Sequence, residues 1–196
     1  MSRAARAWLL VSALLGVCAL AGWPLRREAI DWQPALGLSE PWRAWSAIGV
    51  HYSVAHLAYN LAGLVTVGVF GVVARSPAGL AWAWFAAWPL TQFGLWLKPT
   101  LEHYGGLSGV LHAGVAAVLV FLLYTGTRAQ RWVAALAALG LCAKVVDEAP
   151  WGAALRHPAG WDIAIAPAAH ASGAAAGALC AAIALLRWRA AGPAHA

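Results

Sequence analysis

The amino-acid sequence predicts an all-α polytopic membrane protein, a single bundle of six transmembrane helices with both termini cytoplasmic, and three observations predict it. The chain is too apolar for water: 62% of its 196 residues are hydrophobic and 10% are charged, with a mean hydropathy of +0.68, where a soluble domain carries about 25% charged residues. Its apolar residues gather into six runs, and roughly 17–25 such residues cross a bilayer as a helix. Its cations and acids are segregated between alternate connections.

The runs are Ala7–Trp23, His51–Ala74, Ala78–Leu97, Ser108–Gly126, Arg131–Val146 and Ala164–Leu186. They fill residues 1–196 as one membrane domain and leave no room for a soluble second one. With the N-terminus inside, the inner segments hold Arg3, Arg6, Arg75, Arg128, Arg131, Arg187 and Arg189 and no acid. The outer segments hold the other six cations and all seven acids. This is the positive-inside asymmetry. The net charge of +6 therefore reports topology, with the lipid bilayer as partner and no nucleic acid. Arg3, Arg6 and Ala19-Leu20-Ala21 also suit a cleaved signal peptide, but the apolar run is long for one, and a retained first span is expected. Cys18, Cys142 and Cys180, odd in number and all in apolar runs, read as small packing residues and not as a disulfide framework.

The long outer loop Pro24–Val50 carries Trp32, Trp42 and Trp45. Tryptophan favours the membrane interface, so this loop should lie along the outer leaflet as short interfacial helices. The connections 75–77 and 127–130 are short and make their flanking helices antiparallel neighbours. The loop Lys98–Leu107 ends in Gly105-Gly106, and Asp147–Ile163, with Pro150, Pro158 and Gly160, should be irregular. Trp82, Trp84, Trp88 and Trp96 in the third run read as lipid-facing and interfacial anchors, not as a cofactor box.

Polar residues inside apolar runs are expensive and usually functional. Three groups stand out. His56 and Asn60, four apart, share a face near the start of span two. Ser108 opens span four behind Gly105-Gly106-Leu107, and His170 sits early in span six with Gly173 and Gly177 on its face. Spans two, four and six all run from outside to inside, so the three groups share a level roughly one to two helical turns below the outer surface. A serine hydroxyl becomes a nucleophile when an adjacent base takes its proton, and histidine is the usual base near neutral pH. Attack on a peptide carbonyl makes an oxyanion that needs pre-placed donors. His56, Asn60 and the Ser108 backbone N–H, at a helix N-terminus, can supply them. Gly173 and Gly177 form a small-xxx-small face suited to close packing on span four, which would bring His170 within reach of Ser108. Catalytic Ser108 and His170 with oxyanion donors His56 and Asn60 form the candidate site, and no cofactor or metal is called for.

Trp42-Arg43 followed by His51, His56 and Asn60, then Gly106-Leu107-Ser108-Gly109, then His170-x-x-Gly173-x-x-x-Gly177 resemble the three signatures of the rhomboid family of intramembrane serine proteases, in order, over about residues 40–186. The resemblance implies a rhomboid-like bundle, a Ser–His dyad without an aspartate, a laterally open water-filled cavity, and a transmembrane-anchored protein as substrate. It gives His51, Gly106, Gly109, Gly173 and Gly177 supporting roles. The run Gly106 to His112, the small size, and Lys144 four residues before Glu148 resemble the rhombosortase subfamily. That implies a bacterial inner-membrane enzyme opening toward the periplasm, acting on exported proteins that end in Gly-Gly, a helix and a basic tail. His112 stands where many rhomboids carry a tyrosine packed on the histidine base.

Other readings compete. Ser108 alone could bond its own helix backbone, and His51 could be a helix-start residue. Lys144 and Glu148 read as an exposed i,i+4 pair at the outer interface, with a role in gating or substrate recognition left open. His103, His157 and His195 read as solvated. A membrane haem protein using His51, His56, His112 and His170 is disfavoured, because His51 and His56 do not share a helix face and Gly105–Gly109 would have no purpose. A general rhomboid protease, or a proteolytically inactive rhomboid-like chaperone, are the remaining alternatives; inactive relatives typically lack the Ser or His. Reporter fusions after Arg75, Arg128 and Arg189 should be cytoplasmic, and fusions near Glu102 and Arg156 periplasmic; the opposite pattern would move the polar groups to the inner face.

Overall fold

A computed structural model describes residues 1–190, and among these there is no strand beyond two isolated β-bridges. Six long helices carry the fold: α1 (Arg3–Gly22), α2 (Val54–Val73), α3 (Ala78–Phe93), α4 (Ser108–Thr125), α5 (Arg128–Asp147) and α6 (Pro167–Ala190). Five of them, all but α3, are long and apolar enough to cross a membrane. The 16-residue α3 passes into a 3-10 turn, Gly94–Leu97, that completes the third apolar run.

Local chemistry sets the ends. Helix α2 starts at Val54, three residues later than the apolar run, because Ser53 caps it: its Oγ accepts from the His56 N–H at 3.0 Å. His51 and Tyr52 thereby stay in the extended entry to the helix. Thr127 and Gln130 form a reciprocal capping box at the start of α5. Pro167, lacking an N–H to satisfy, opens α6 three residues inside the sixth run.

Helix α4 is the most enclosed of the five, with α2, α3, α5 and α6 packed around it, whereas α5 is almost wholly exposed. The tightest seam joins α4 to α6. A Cβ on Gly173 would run into the Gly109 carbonyl, and one on Gly177 into the Ala113 carbonyl, so the two backbones touch. Helix α1 belongs to the same core: Trp8, Val11 and Leu15 are fully buried, and the Trp8 ring stacks on Trp84 at 5.5 Å over the bare backbone of Gly71.

Three expectations need correction. Trp84 and Trp88 are buried in the core and do not face lipid; only Trp82 and Trp96 of that set are exposed. The reason is the position of α3 between α1 and α6, and the Trp84 indole N–H is satisfied by the Val110 carbonyl at 2.7 Å. All three cysteines are free, but Cys142 lies exposed on α5 and is not a packing residue. The loop 24–50 does hold short helical turns, Arg27–Ile30, Pro34–Leu36, Arg43–Ser46 and Ala47–Gly49. Arg43 pins them, bonding Glu40 at 2.6 Å, Asp31 at 3.2 Å and the Glu28 and Asp31 carbonyls at 3.0 Å. Trp32, unlike Trp42 and Trp45, is fully buried.

The seam yields a direct test. Gly173→Ala should destabilise the protein by more than the ~1–3 kcal/mol usual for overpacking, since backbone on both sides must move. Gly140→Ala, on α5 with nothing among the described residues within 4 Å of the added carbon, should leave stability unchanged or raise it slightly. Thermal unfolding in detergent measures both.

Candidate active site

Ser108 is the first residue of α4, and its place is set by the turn before it. Gly106 has φ +125°, a conformation that side chains resist, and a Cβ there would lie 2.9 Å from the His56 ring. Its N–H bonds the Ala47 carbonyl at 3.0 Å, and just upstream Tyr104 pairs with Trp32 in an antiparallel bridge, each N–H to the other's carbonyl at 2.8–2.9 Å. The pinned loop 24–50 therefore holds the turn that presents the serine.

His170 lies one turn into α6. Its Nε2 stands 3.0 Å from Ser108 Oγ, a hydrogen-bonding distance that the α4–α6 seam enforces. Its other nitrogen, Nδ1, faces Glu148 Oε2 at 2.6 Å. Glu148 caps the end of α5, and its second oxygen accepts from Lys144 Nζ at 2.7 Å. The ring of His112 lies nearly parallel to that of His170, with centroids 4.3 Å apart and 12° between planes. His112 Nδ1 bonds the Ser108 carbonyl at 2.7 Å. Burial of Glu148 opposes its charge, but hydrogen bonds and charge from His170 and Lys144 outweigh it and hold the carboxyl down at about 2. It is ionised at neutral pH.

On the opposite wall, His56 Nδ1 accepts the Tyr52 N–H at 3.3 Å. That bond leaves the proton of neutral His56 on Nε2, as a donor. Among the described residues Asn60 Nδ2 is buried without a protein partner, and so are both ring nitrogens of His51, whose ring packs 4.8 Å from that of His56. An unpaired buried donor is costly unless something else uses it. Two cavities meet at Ser108 and His56. One of about 400 Å³ runs past Tyr52, Tyr104 and Asp162, and the other, of about 330 Å³, runs past Asn60, Lys144, Trp161 and His170.

Ser108, His170, His56, Asn60 and His112 are thus brought to one place, framed by Gly106 and by the seam glycines Gly109, Gly173 and Gly177. His51 stands behind His56 and lines neither cavity. Glu148 and Lys144 are not an isolated surface pair, because Glu148 turns inward to His170. A signal for this existed: an acid at the C-terminal end of the fifth apolar run lies at the level where the sixth brings in a histidine. His103 is paired, its Nδ1 2.6 Å from Asp31 Oδ2, and His157 lines the larger cavity; His195 lies outside the described residues.

Such an arrangement defines a class, multi-pass α-helical membrane proteins that gather polar side chains at one end of the bundle. The chain belongs to the rhomboid family, whose family model, described as Rhomboid domain, matches residues 38–187. No curated protein and no solved structure matches it.

Proposed function

We propose that this protein is an intramembrane serine endopeptidase with Ser108 as nucleophile and His170 as general base. The observation that carries the reading is the 3.0 Å approach of His170 Nε2 to Ser108 Oγ at the meeting point of two cavities. Ser108 Oγ attacks a peptide carbonyl while its proton passes to His170 Nε2. The oxyanion formed is met by His56 Nε2–H, Asn60 Nδ2–H and the N–H at the start of α4. His170 then protonates the leaving amine, and water reverses the sequence to free the acyl product. Six spans, α3 with its 3-10 extension among them, and cytoplasmic termini put this end of the bundle on the periplasmic side. The substrate is a membrane-anchored exported protein cut near the outer end of its helix. The likeness of Gly106–His112 and of Lys144 with Glu148 to rhombosortases favours substrates ending in Gly-Gly, a helix and a basic tail. An ordinary rhomboid protease would use the same pair on other helices, and cleavage of matched substrates with and without the Gly-Gly separates the two.

Ser108→Ala and His170→Ala should be equally inactive, and the double variant little worse, because the pair acts as a unit. Ser108 should be the one serine modified by a fluorophosphonate. His112→Tyr should keep substantial activity, as expected of a ring that packs on the base. If His112→Tyr were dead while His170→Ala still cleaved, the base would be His112; if Ser108→Ala cleaved normally, the protease reading would fall.

Asn60→Ala and His56→Ala should each lower kcat by roughly 10–10³-fold while the protein still folds, the effect of losing one preorganised donor. Normal turnover in both would make these residues structural.

A further inference from the structure

We propose that Glu148 is a positioning residue for His170, so that the chain carries a Ser108–His170–Glu148 relay with Lys144 steadying the carboxylate. The inference rests on the protease reading above and adds a third member to its pair.

The geometry makes one assignment of protons self-consistent. To take the Ser108 proton, His170 must be neutral with Nε2 bare, which puts its single proton on Nδ1. Two groups face Nδ1: Glu148 Oε2 at 2.6 Å and Lys144 Nζ at 3.3 Å. An ammonium donating to Nδ1 would force the proton onto Nε2 and disable the base. The carboxylate does the reverse, accepting from Nδ1–H. The distances favour the carboxylate, and the ammonium is engaged elsewhere, at 2.7 Å from Glu148 Oε1. Lys144 therefore fixes the rotamer of Glu148 and competes poorly for the imidazole.

During attack the Ser108 Oγ–C bond forms as the Oγ proton moves to Nε2, and the imidazolium keeps its Nδ1 proton. Glu148 stays ionised throughout and stabilises that cation; it carries no proton. When the C–N bond breaks, the Nε2 proton leaves with the amine. The ring is confined on its faces as well, since His112 stacks against it. Among the described residues, Ser108 and His112 on α4, Lys144 and Glu148 at the end of α5, and His56 on α2, across the shared cavity, are the titratable or polar groups that bear on it.

Opposite signs distinguish this role from a structural one. Glu148→Gln should lower kcat by about 10²–10⁴-fold, as when an amide replaces the carboxylate that orients a catalytic histidine, with KM little changed. Loss of the anion disfavours imidazolium, so the acid limb of the kcat–pH profile should move to lower pH. Lys144→Met removes a nearby cation and should move that limb to higher pH. Glu148→Asp should restore part of the rate lost in Glu148→Gln. A second readout is independent of turnover: with the histidines ¹⁵N-labelled, wild type and Ser108→Ala should both show a downfield His170 Nδ1 proton that Glu148→Gln abolishes. Wild-type kcat in Glu148→Gln with an unmoved acid limb, beside an inactive Ser108→Ala, overturns the relay and leaves the protease reading intact. Normal cleavage by Ser108→Ala overturns both. Should Glu148→Gln fail to insert, the wild-type resonance decides, and its absence overturns the relay.

Discussion

Everything at the candidate site depends on how closely α4 and α6 approach. Gly109 and Ala113 on one helix meet Gly173 and Gly177 on the other with no side chain between them. In a bilayer the lipid is as apolar as any leucine, so helices associate through close packing and polar contacts and not through water exclusion. Bare backbone seams supply that packing. This one also sets a distance, because Ser108 and His170 are each one turn or less from the seam. The same absence of side chains that holds two helices together brings the Ser108 hydroxyl and the His170 imidazole into hydrogen bonding.

A second constraint comes from the loop between α1 and α2. A serine at the head of a helix is useful only if the preceding turn is rigid, and Gly106 makes a turn that few residues tolerate. The loop 24–50 supplies the rigidity through Arg43, whose guanidinium ties Glu40 to Asp31, and through the Trp32–Tyr104 bridge. Arg43 is itself buried, and its bonds to Glu40, Asp31 and the Glu28 carbonyl offset the cost of that burial. Arg43 lies well upstream of Ser108 in the chain, yet it steadies the loop that holds the turn before the serine.

The elements around the site differ in how firmly they are held. Helices α4 and α6 are locked to each other, whereas of all the residues of α5 only Ala134 is buried. The carboxylate facing His170 comes from the end of that loosely held helix. Small displacements of α5 would change the electrostatics around His170 before they changed the position of Ser108.

Much was legible in the sequence because a bilayer enforces simple rules. Hydropathy marked the runs that became helices, and counting arginines placed Ser108, His170, His56 and Asn60 at one end of the bundle before any fold was known. Motif spacing named the seam glycines, since only residues on one helix face recur at every fourth position. Tertiary structure alone decided what lies beside what. Trp84 and Trp88 look like interfacial residues until α3 is seen between α1 and α6. Glu148 looks like a surface acid until the loop after α5 brings its carboxylate to His170. The physical reason is the same in both cases. Composition and periodicity report what a residue must avoid, water or lipid, along its own helix, but the partner that satisfies an indole N–H or a carboxylate is chosen by the packing of distant segments.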